Sequence, residues 1–181
     1  IYCVNSSPNI SNVIISGNSA AGNGFGTDAS TAGMYLAYAG GVTLTNVTVT
    51  ENEGLGIDIL DDAPTILKIL NSIIYNNSQE SIFTTGILPV ISYSDIEGGW
   101  EGEGNIDSNP QFNEDFTLQS NSPCIDTGDP DLDGDGDNYL IDSDDQDPDG
   151  TRMDIGTFYY DQIANPIIYD CAGVPNGDGV L

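Results

Sequence analysis

The sequence predicts an all-β solenoid, a fold in which short strands stack coil upon coil along one axis. Short segments recur at nearly regular spacing, which is typical of stacked repeats. Within each segment, β-branched and aliphatic residues alternate with polar ones, as in a strand with one buried face. Gly, Asn, Ser, Thr and Asp are abundant between the segments, which indicates many turns and argues against a helix bundle.

The first set of repeats consists of four similar segments. They read "NVIISGN" (Asn12–Asn18), "NVTVTEN" (Asn46–Asn52), "NSIIYNN" (Asn71–Asn77) and "YSDIEGG" (Tyr93–Gly99). The interval between the first two is the longest, and it is explained by a Gly/Ala/Thr-rich loop, "AAGNGFGTDAST", at Ala20–Thr31. A β-sandwich also has short strands and turns, but it does not require matching residues at a regular spacing, so a solenoid is favoured.

A second set of segments alternates with the first. It comprises "GMYLAYAG" from Gly33, "GIDILDDA" from Gly56 and "SIFTTG" from Ser81, which start at nearly equal intervals. Two strand types that recur in phase predict repeats that each stack on the last. Coils stacked about 4.8 Å apart would also align the asparagines that end the first set, Asn18, Asn52 and Asn77, into a ladder of amides.

The charge is strongly acidic and concentrated in one region. The chain has 29 acidic residues against Lys68 and Arg152, no histidine and a net charge of -27. This composition excludes binding to nucleic acid or to an anionic membrane surface, because both need clustered basic side chains. A halophile-type acidic surface is the alternative interpretation, but 12 aspartates lie between Asp126 and Asp154. Such a cluster indicates a hard divalent cation with oxygen ligands.

The tract "DPDLDGDGDNYLIDSDDQDPDG" predicts a calcium site. Its alternating aspartates match the start of a calcium loop in which Asp131 is the first position, Gly136 the sixth and Asp142 the twelfth. A register that starts at Asp129 is also possible, and a disordered acidic linker is the alternative. The predicted ligands are Asp129, Asp131, Asp133, Asp135, Asp137, Asp142, Asp144, Asp145, Asp147 and Asp149. Calcium there is expected to organise a cap that closes the open end of the solenoid.

Three cysteines, Cys3, Cys124 and Cys171, lie too far apart for a zinc motif. Their odd number fits either a free buried thiol or a fragment whose partner cysteine is missing. The sequence shows no signal peptide and no transmembrane run, and its first and last residues suggest an excised piece. We expect Cys124 to be buried as a small apolar residue.

Two parts of the sequence resemble known proteins. The repeats resemble right-handed parallel β-helix proteins related to pectate lyases. The stretch from "NIDSNPQF" through "SPCIDTGDP" to "DPDGTRMDIGTFYYD" resembles the C-terminal part of secreted bacterial β-helix proteins. The resemblance implies a right-handed parallel β-helix at 1–104 and a C-terminal cap at 105–161, for which the spacing of the aspartates predicts irregular structure and calcium binding. Residues 162–181 are expected to be the start of a linker or next repeat. The resemblance also implies export to the surface of a bacterium, but it does not imply one activity.

The sequence offers few candidates for catalysis. Lyases of the β-helix group use an Arg or Lys base, but Lys68 is predicted to face outward from a strand, and Arg152 to pair with nearby carboxylates. Related hydrolases use aspartates, for which Asp58, Asp61 and Asp62 are candidates, although solvated turn carboxylates are the simpler interpretation. Without histidine, a serine or cysteine nucleophile has no base of the usual kind. Trp100 is interpreted either as a sugar-stacking residue or as an edge or core contact.

These observations favour a non-catalytic, calcium-stabilised module for structural display, adhesion or carbohydrate contact at the cell surface or outside the cell. Calcium is the predicted cofactor, and a polysaccharide or another surface protein is a possible partner. A polysaccharide-degrading enzyme, or its binding portion, is the first alternative. A subunit of an extracellular filament or surface layer is the second.

Overall fold

The computed structural model describes residues 1–19, 31–38, 41–60, 67–86 and 88–167. The predicted loop at 20–31 (except Thr31), the catalytic candidates Asp61 and Asp62, Cys171 and the C-terminal tail lie outside the described residues. The described strands are β1 (Tyr2–Val4), β2 (Asn9–Ser16), β3 (Thr31–Ala37), β4 (Thr43–Thr50), β5 (Leu55–Leu60), β6 (Lys68–Leu70), β7 (Ile73–Tyr75), β8 (Ile82–Thr84), β9 (Val90–Ser92) and β10 (Asp95–Ile96).

The strands form two parallel sheets, which confirms the predicted parallel β-helix. The first sheet has the order β1-β3-β5-β8, and the second has the order β10-β7-β4-β6-β9, with β2 paired to β4. Strands β1–β2, β3–β4, β5–β7 and β8–β10 therefore make four successive coils in the described part of the chain. Each coil covers the apolar side chains of the next, so the stack buries a core that no single coil could bury.

The register of the strands matches the sequence repeats. Ile14 pairs with Thr48, Thr48 with Ile73, and Ile73 with Asp95, and each of these is the third residue of its repeat segment. In the other sheet Met34 pairs with Ile57 and Ile57 with Ile82, the second residues of their segments. Inside the coils these registers stack apolar rows, namely Leu44–Ile69–Ile91 and Ile15–Val49–Ile74–Ile96.

The second sheet bends at a stacked corner in every coil. Asn12, Asn46, Asn71 and Tyr93 occupy this corner with φ angles of 56°, 54°, 49° and 46°. Asparagine tolerates the left-handed backbone because its short polar side chain can hydrogen-bond locally. The asparagine that opens each repeat segment is therefore the corner residue, and the tyrosine of the fourth segment takes the same place.

The predicted asparagine ladder is present. The side-chain amide of Asn18 donates to Oδ1 of Asn52 at 2.9 Å, and that of Asn52 donates to Oδ1 of Asn77 at 2.9 Å. Asn52 also donates to the carbonyl of Ile15 and is almost fully buried. These amides satisfy backbone groups at the turns, which would otherwise remain unpaired inside the stack.

The stretch that follows β10 covers the last coil. Ile106 pairs with Asp95, and the amide of Tyr93 donates to the carbonyl of Glu103 at 2.7 Å. Trp100 is partly buried against the main core. Of the two interpretations of Trp100, the structure supports a core contact at the end of the solenoid.

The rest of the C-terminal segment lies along the side of the coils. A second apolar cluster joins Ile73, which faces outward from β7, to Leu118, Cys124, Ile125 and Ile155. Cys124 is fully buried, as predicted. The expectation that this segment closes the open end is therefore corrected, because its apolar residues cover the outer face of the second sheet.

Hydrogen bonds hold this segment against the sheet across several coils. The amide of Gly156 donates to the carbonyl of Asn71 at 2.8 Å. The hydroxyl of Thr157 lies 3.1 Å from the carbonyl oxygen of Val13 and 3.2 Å from that of Asn46. Residues far apart in sequence thus fix the acidic tract beside the corner of the third coil.

Candidate metal centre

Two groups of aspartates converge within the acidic tract. One carboxylate oxygen each from Asp131, Asp133 and Asp145 lies within 4.8 Å of the others. Asp133, Asp135 and Asp142 form a second group, whose carboxylate oxygens lie within the same distance of one another. Asp133 belongs to both groups, so the two clusters are neighbours within one loop.

Local turns of the chain bring the alternating aspartates together. The amide of Asp135 donates to Oδ1 of Asp133 at 3.1 Å, and that of Asp137 donates to Oδ1 of Asp135 at 2.8 Å. Gly134 and Gly136 have φ angles of 78° and 98°, a conformation that glycine adopts without steric cost. The Asp-Gly alternation therefore curls the backbone tightly enough for successive carboxylates to approach one another.

A single turn of 3-10 helix, Ser143–Asp145, returns the chain to this loop. Asp142 caps the turn, because its carboxylate accepts the amide of Asp144 at 2.9 Å. The turn brings Asp145 into the first group and Asp142 into the second, which is the more exposed of the two. Asp145 lies beyond the twelve positions of the predicted loop, and it is the only one of the five converging residues whose side chain is fully buried.

The carboxylate of Asp145 is the most unusual feature of the site. The side chain is 0% exposed, and its Oδ1 accepts the amide of Leu132 at 2.5 Å. Its Oδ2 is buried and has no hydrogen-bond partner in the described part of the chain. Burial raises the pKa of this carboxyl above its ordinary value of 3.8. A buried carboxylate oxygen without a partner is costly, and a cation held between Asp131, Asp133 and Asp145 would remove that cost.

Five predicted ligands stay outside both groups. Asp137 and Asp144 are exposed to solvent. Asp129 is held at the coil corner, where its amide donates to Oδ1 of Asn71 at 2.7 Å. The carboxylate of Asp147 accepts the amide of Asp154, and that of Asp149 accepts the amide of Gln162, each at 2.8 Å. Their present contacts organise turns of the backbone.

Sequence reasoning named Asp147 as a ligand but missed that Asp147 and Asp154 are two buried carboxyls. Asp147 and Asp154 are 8% and 4% exposed, and burial raises their pKa values to about 7 and about 8. Asp154 accepts the amides of Asp126 and Tyr160 at 2.7 and 2.6 Å. The sequence does not distinguish Asp154 from the other aspartates of the tract. Only the folded structure does so, because Asp154 is buried there.

Arg152 contacts backbone carbonyls and an aromatic ring where pairing with carboxylates was predicted. Its Nε donates to the carbonyl of Gly128 at 2.6 Å, and its guanidinium lies 5.7 Å from the ring centroid of Tyr93. Gly128 ends the "SPCIDTG" stretch and lies outside both sheets. Arg152 donates a hydrogen bond to its carbonyl. The arginine therefore fastens the acidic tract to the solenoid.

The structure also places two of the catalytic candidates. Lys68 is exposed on β6, as predicted. Asp58 lies within β5 and is only 4% exposed, so the interpretation of Asp58 as a solvated turn carboxylate is wrong. It sits in a row across the first sheet between Tyr35 and Phe83.

Comparison with known proteins gives one family. The family model of the right-handed β-helix region matches residues 1–110. No curated protein and no solved structure was found to match the chain. No helix among the described residues is long and apolar enough to cross a membrane. The matched region comprises all ten of the described strands and the stretch that covers the last coil. The chain belongs to the right-handed β-helix family.

Proposed function

We propose that the chain is a non-catalytic, calcium-stabilised β-helix module, exported by a bacterium and used for structural display or adhesion. The observation that carries the proposal is the buried, unpartnered Oδ2 of Asp145, next to the carboxylates of Asp131 and Asp133. If no cation bound there, burial of this carboxylate would lower the stability of the fold. Polysaccharide cleavage and assembly into a surface layer are the alternatives.

Calcium is the cation that suits this donor set. All the converging atoms are carboxylate oxygens, which hard cations prefer. Calcium accepts six to eight oxygens at about 2.3–2.6 Å in flexible geometry, whereas magnesium demands a near-ideal octahedron. A loop of turns with one short 3-10 segment is better able to meet the first requirement. A structural need for calcium also supports an exterior location, because weak calcium sites are typical of extracellular modules.

The stacking of polar side chains supports a scaffold role. Oγ of Ser72 accepts the amide of Val47, and Oγ of Ser94 accepts the amide of Ser72, each at 3.1 Å. Oδ1 of Asn105 continues the series by accepting the amide of Ser94 at 3.0 Å. These groups hold coils together, as do the amides of the asparagine ladder.

Calcium is expected to raise the melting temperature of the protein, and a chelator to lower it. At a free calcium concentration about 100-fold above the dissociation constant, one site stabilises the fold by roughly 2.7 kcal/mol. For a chain of this size that corresponds to about 5–10 °C. Scanning calorimetry with calcium, with magnesium and with sodium chloride at matched ionic strength measures the effect. Identical curves in excess chelator and in calcium would contradict the proposal.

Carbohydrate contact is a second candidate, favoured by an aromatic row on the first sheet. Tyr2, Tyr35, Asp58 and Phe83 are neighbours in register across the four strands of that sheet. The rings of Tyr2 and Tyr35 stack with a centroid distance of 5.0 Å and an interplanar angle of 9°, and Tyr2 is 76% exposed. Stacking covers the facing sides of these two rings, so the row offers a sugar the exposed ring of Tyr2 together with tyrosine hydroxyls. The net charge of -27 favours neutral over acidic glycans.

Tyr2→Ala is expected to weaken retention on a neutral glycan at least tenfold, because it removes the most exposed ring of the row. Tyr159→Ala is the matched control, since Tyr159 is partly exposed but lies in the C-terminal segment. Retention and release of reducing ends are scored separately on a panel of neutral and acidic glycans. Equal binding by the two variants would exclude the row as the contact surface, and release of reducing ends would favour the enzyme alternative.

A further inference from the structure

A cavity of about 340 Å³ lies between two turns of the fourth coil. Residues 79–82, which lead into β8, form one wall, and residues 96–99, at the end of β10, form the other. Small-molecule sites in proteins begin at about 300 Å³, so the cavity has room for a ligand of modest size. Its residues belong neither to the two aspartate groups nor to the aromatic row of the first sheet.

The deeper part of the lining is apolar, and part of one wall is bare backbone. Ile96 is 1% exposed, and Ile82 is partly buried against the main core. Gly98 has a φ angle of 89°, and a Cβ at this position would meet no described atom within 4 Å. A ligand in the cavity therefore meets aliphatic carbon at its base and exposed backbone beside it. This lining suits the C–H face and the hydroxyl groups of a sugar ring.

Each wall of the cavity carries one glutamate. Glu80 belongs to the first wall and Glu97 to the second, and both residues are exposed. Oε2 of Glu97 accepts the amide of Asn76 at 2.7 Å, so the preceding turn of the chain holds this carboxylate in place. Two carboxylates that line one small cavity make its electrostatic potential negative.

The protein has no positive charge of its own to place in the cavity. Its only basic side chains are Lys68, which lies on β6 in the second sheet, and Arg152, which donates to the carbonyl of Gly128. Neither of them lines the cavity. The described residues whose carboxylates converge closely enough for a metal ion are all aspartates of the acidic tract. The two glutamates are therefore open to a cationic group that a ligand brings with it.

We propose that this cavity binds a sugar that carries a free amine, such as a glucosamine unit of a polysaccharide. The ammonium group has three donors and forms charge-assisted hydrogen bonds to the carboxylates of Glu80 and Glu97. The ring packs on Ile82 and Ile96, which removes apolar surface from water. The amide of Gln79, at the rim, is available to a ring hydroxyl.

The charge of the cavity determines which sugars it selects. An acidic sugar would be repelled by both glutamates and by the net charge of -27. A neutral sugar of the same shape would leave both carboxylates without a counter-charge and would partly displace their water. A free amine is the one common sugar substituent that supplies the missing positive charge.

Isothermal titration calorimetry of the 181-residue chain with a glucosamine trisaccharide tests the proposal. The buffer contains calcium, which competes for the acidic tract, and about 0.15 M salt, which screens the remaining surface charge. We expect one ligand per chain. The N-acetylated trisaccharide has the same ring skeleton without the charge, and it should bind at least about tenfold more weakly.

Glu97→Gln is expected to weaken binding of the free amine by about tenfold or more. It removes a charge but keeps an oxygen that can accept the amide of Asn76. Glu80→Gln should act in the same way from the other wall. Glu101→Gln is the matched control, because it removes the same charge from an exposed neighbour that does not line the cavity.

Melting curves of the three variants show that each still folds. No binding, equal binding of the acetylated trisaccharide, equal affinities in the three variants, or several ligands per chain would each overturn the proposal. A lysine derivative with a blocked α-amine that bound as tightly as the trisaccharide would also overturn it, because the sugar ring would then contribute nothing. The result depends neither on calcium stabilisation nor on the aromatic row, because the cavity is lined by other residues.

Discussion

Replacing Asp145 by asparagine is expected to abolish most of the calcium-dependent rise in melting temperature, while the calcium-free protein becomes no less stable than before. Asparagine keeps an oxygen that can accept the amide of Leu132, so the turn around the site is preserved. It removes the buried charge, and with it the strongest reason for a cation to bind between Asp131 and Asp133.

A calcium ligand and a purely structural carboxylate predict different results for this variant. Loss of a ligand lowers the stability only in calcium, whereas loss of a structural carboxylate lowers it in calcium-free buffer as well. Without calcium, the wild-type side chain either holds a proton or remains a costly buried charge, and burial already raises the pKa of this carboxyl. With calcium, the same charge becomes an attractive interaction. At about 100-fold excess over the dissociation constant, the lost stabilisation is roughly 2.7 kcal/mol.

Asp144→Asn is the matched control for this variant. It removes the same charge from the neighbouring residue, which is exposed and belongs to neither converging group. Calorimetric melting with and without calcium, together with direct calcium titration, gives both quantities. Equal calcium responses of the two variants would show that Asp145 is not a ligand.

The second large effect concerns pH and the buried carboxyl of Asp95. Asp95 is 0% exposed at the contact between the last coil and the C-terminal segment. Its Oδ1 accepts the amide of Ser108 at 3.1 Å, and its Oδ2 lies 3.4 Å from the thiol of Cys124. Burial is the main cause that raises its pKa from 3.8 to about 6, and the nearby carboxylates Asp107 and Glu97 raise it further.

The raised pKa means that the folded state binds this proton more tightly than the unfolded chain does. The resulting stabilisation is complete below pH 3.8 and is lost as the pH rises to about 6. Its size is roughly 3 kcal/mol. Asp147 and Asp154, whose pKa values are raised to about 7 and about 8, extend the same trend toward neutral and alkaline pH. In chelator, the protein should therefore be more stable near pH 5 than near pH 8.

Asp95→Asn is expected to stabilise the protein at neutral pH and to flatten its pH dependence between about 4 and 6, since the variant cannot ionise there. Denaturant unfolding in chelator across this range measures the change. Glu114→Gln serves as the control, because Glu114 is exposed and is not among the groups that shift the pKa of Asp95. Unchanged pH slopes in Asp95→Asn would show that the buried carboxyl does not control stability.

The solenoid was predictable because its physics is local and repetitive. The alternation within each segment shows which face is buried, and the recurrence of the segments shows which strands pair, as in the row Ile14–Thr48–Ile73–Asp95. The ladder of Asn18, Asn52 and Asn77 was predictable by the same argument, since stacked coils align amides that can bridge them. The left-handed corner at Asn12, Asn46 and Asn71 became visible only in the structure.

The candidate site was predictable only in part. The spacing of aspartates indicated a cation loop, but many carboxylates of similar character offered several registers. Asp145 differs from the other aspartates only because the 3-10 turn buries it. Asp147 and Asp154 differ only because the folded chain buries them as well. Burial depends on what packs above a residue, and the sequence around an aspartate does not contain that information.

The sequence by itself determined the class of the fold, the pairing of the coils and the positions of the acidic and aromatic regions along the chain. Tertiary structure decided where the C-terminal segment lies, because Ile73 and Ile155 pack into one cluster from distant positions in the chain. It also decided that Arg152 donates to the backbone carbonyls of Thr127 and Gly128, and it decided which aspartates are desolvated. Local patterns fix the strands, while long-range packing alone sets the desolvation that distinguishes one acidic side chain among many.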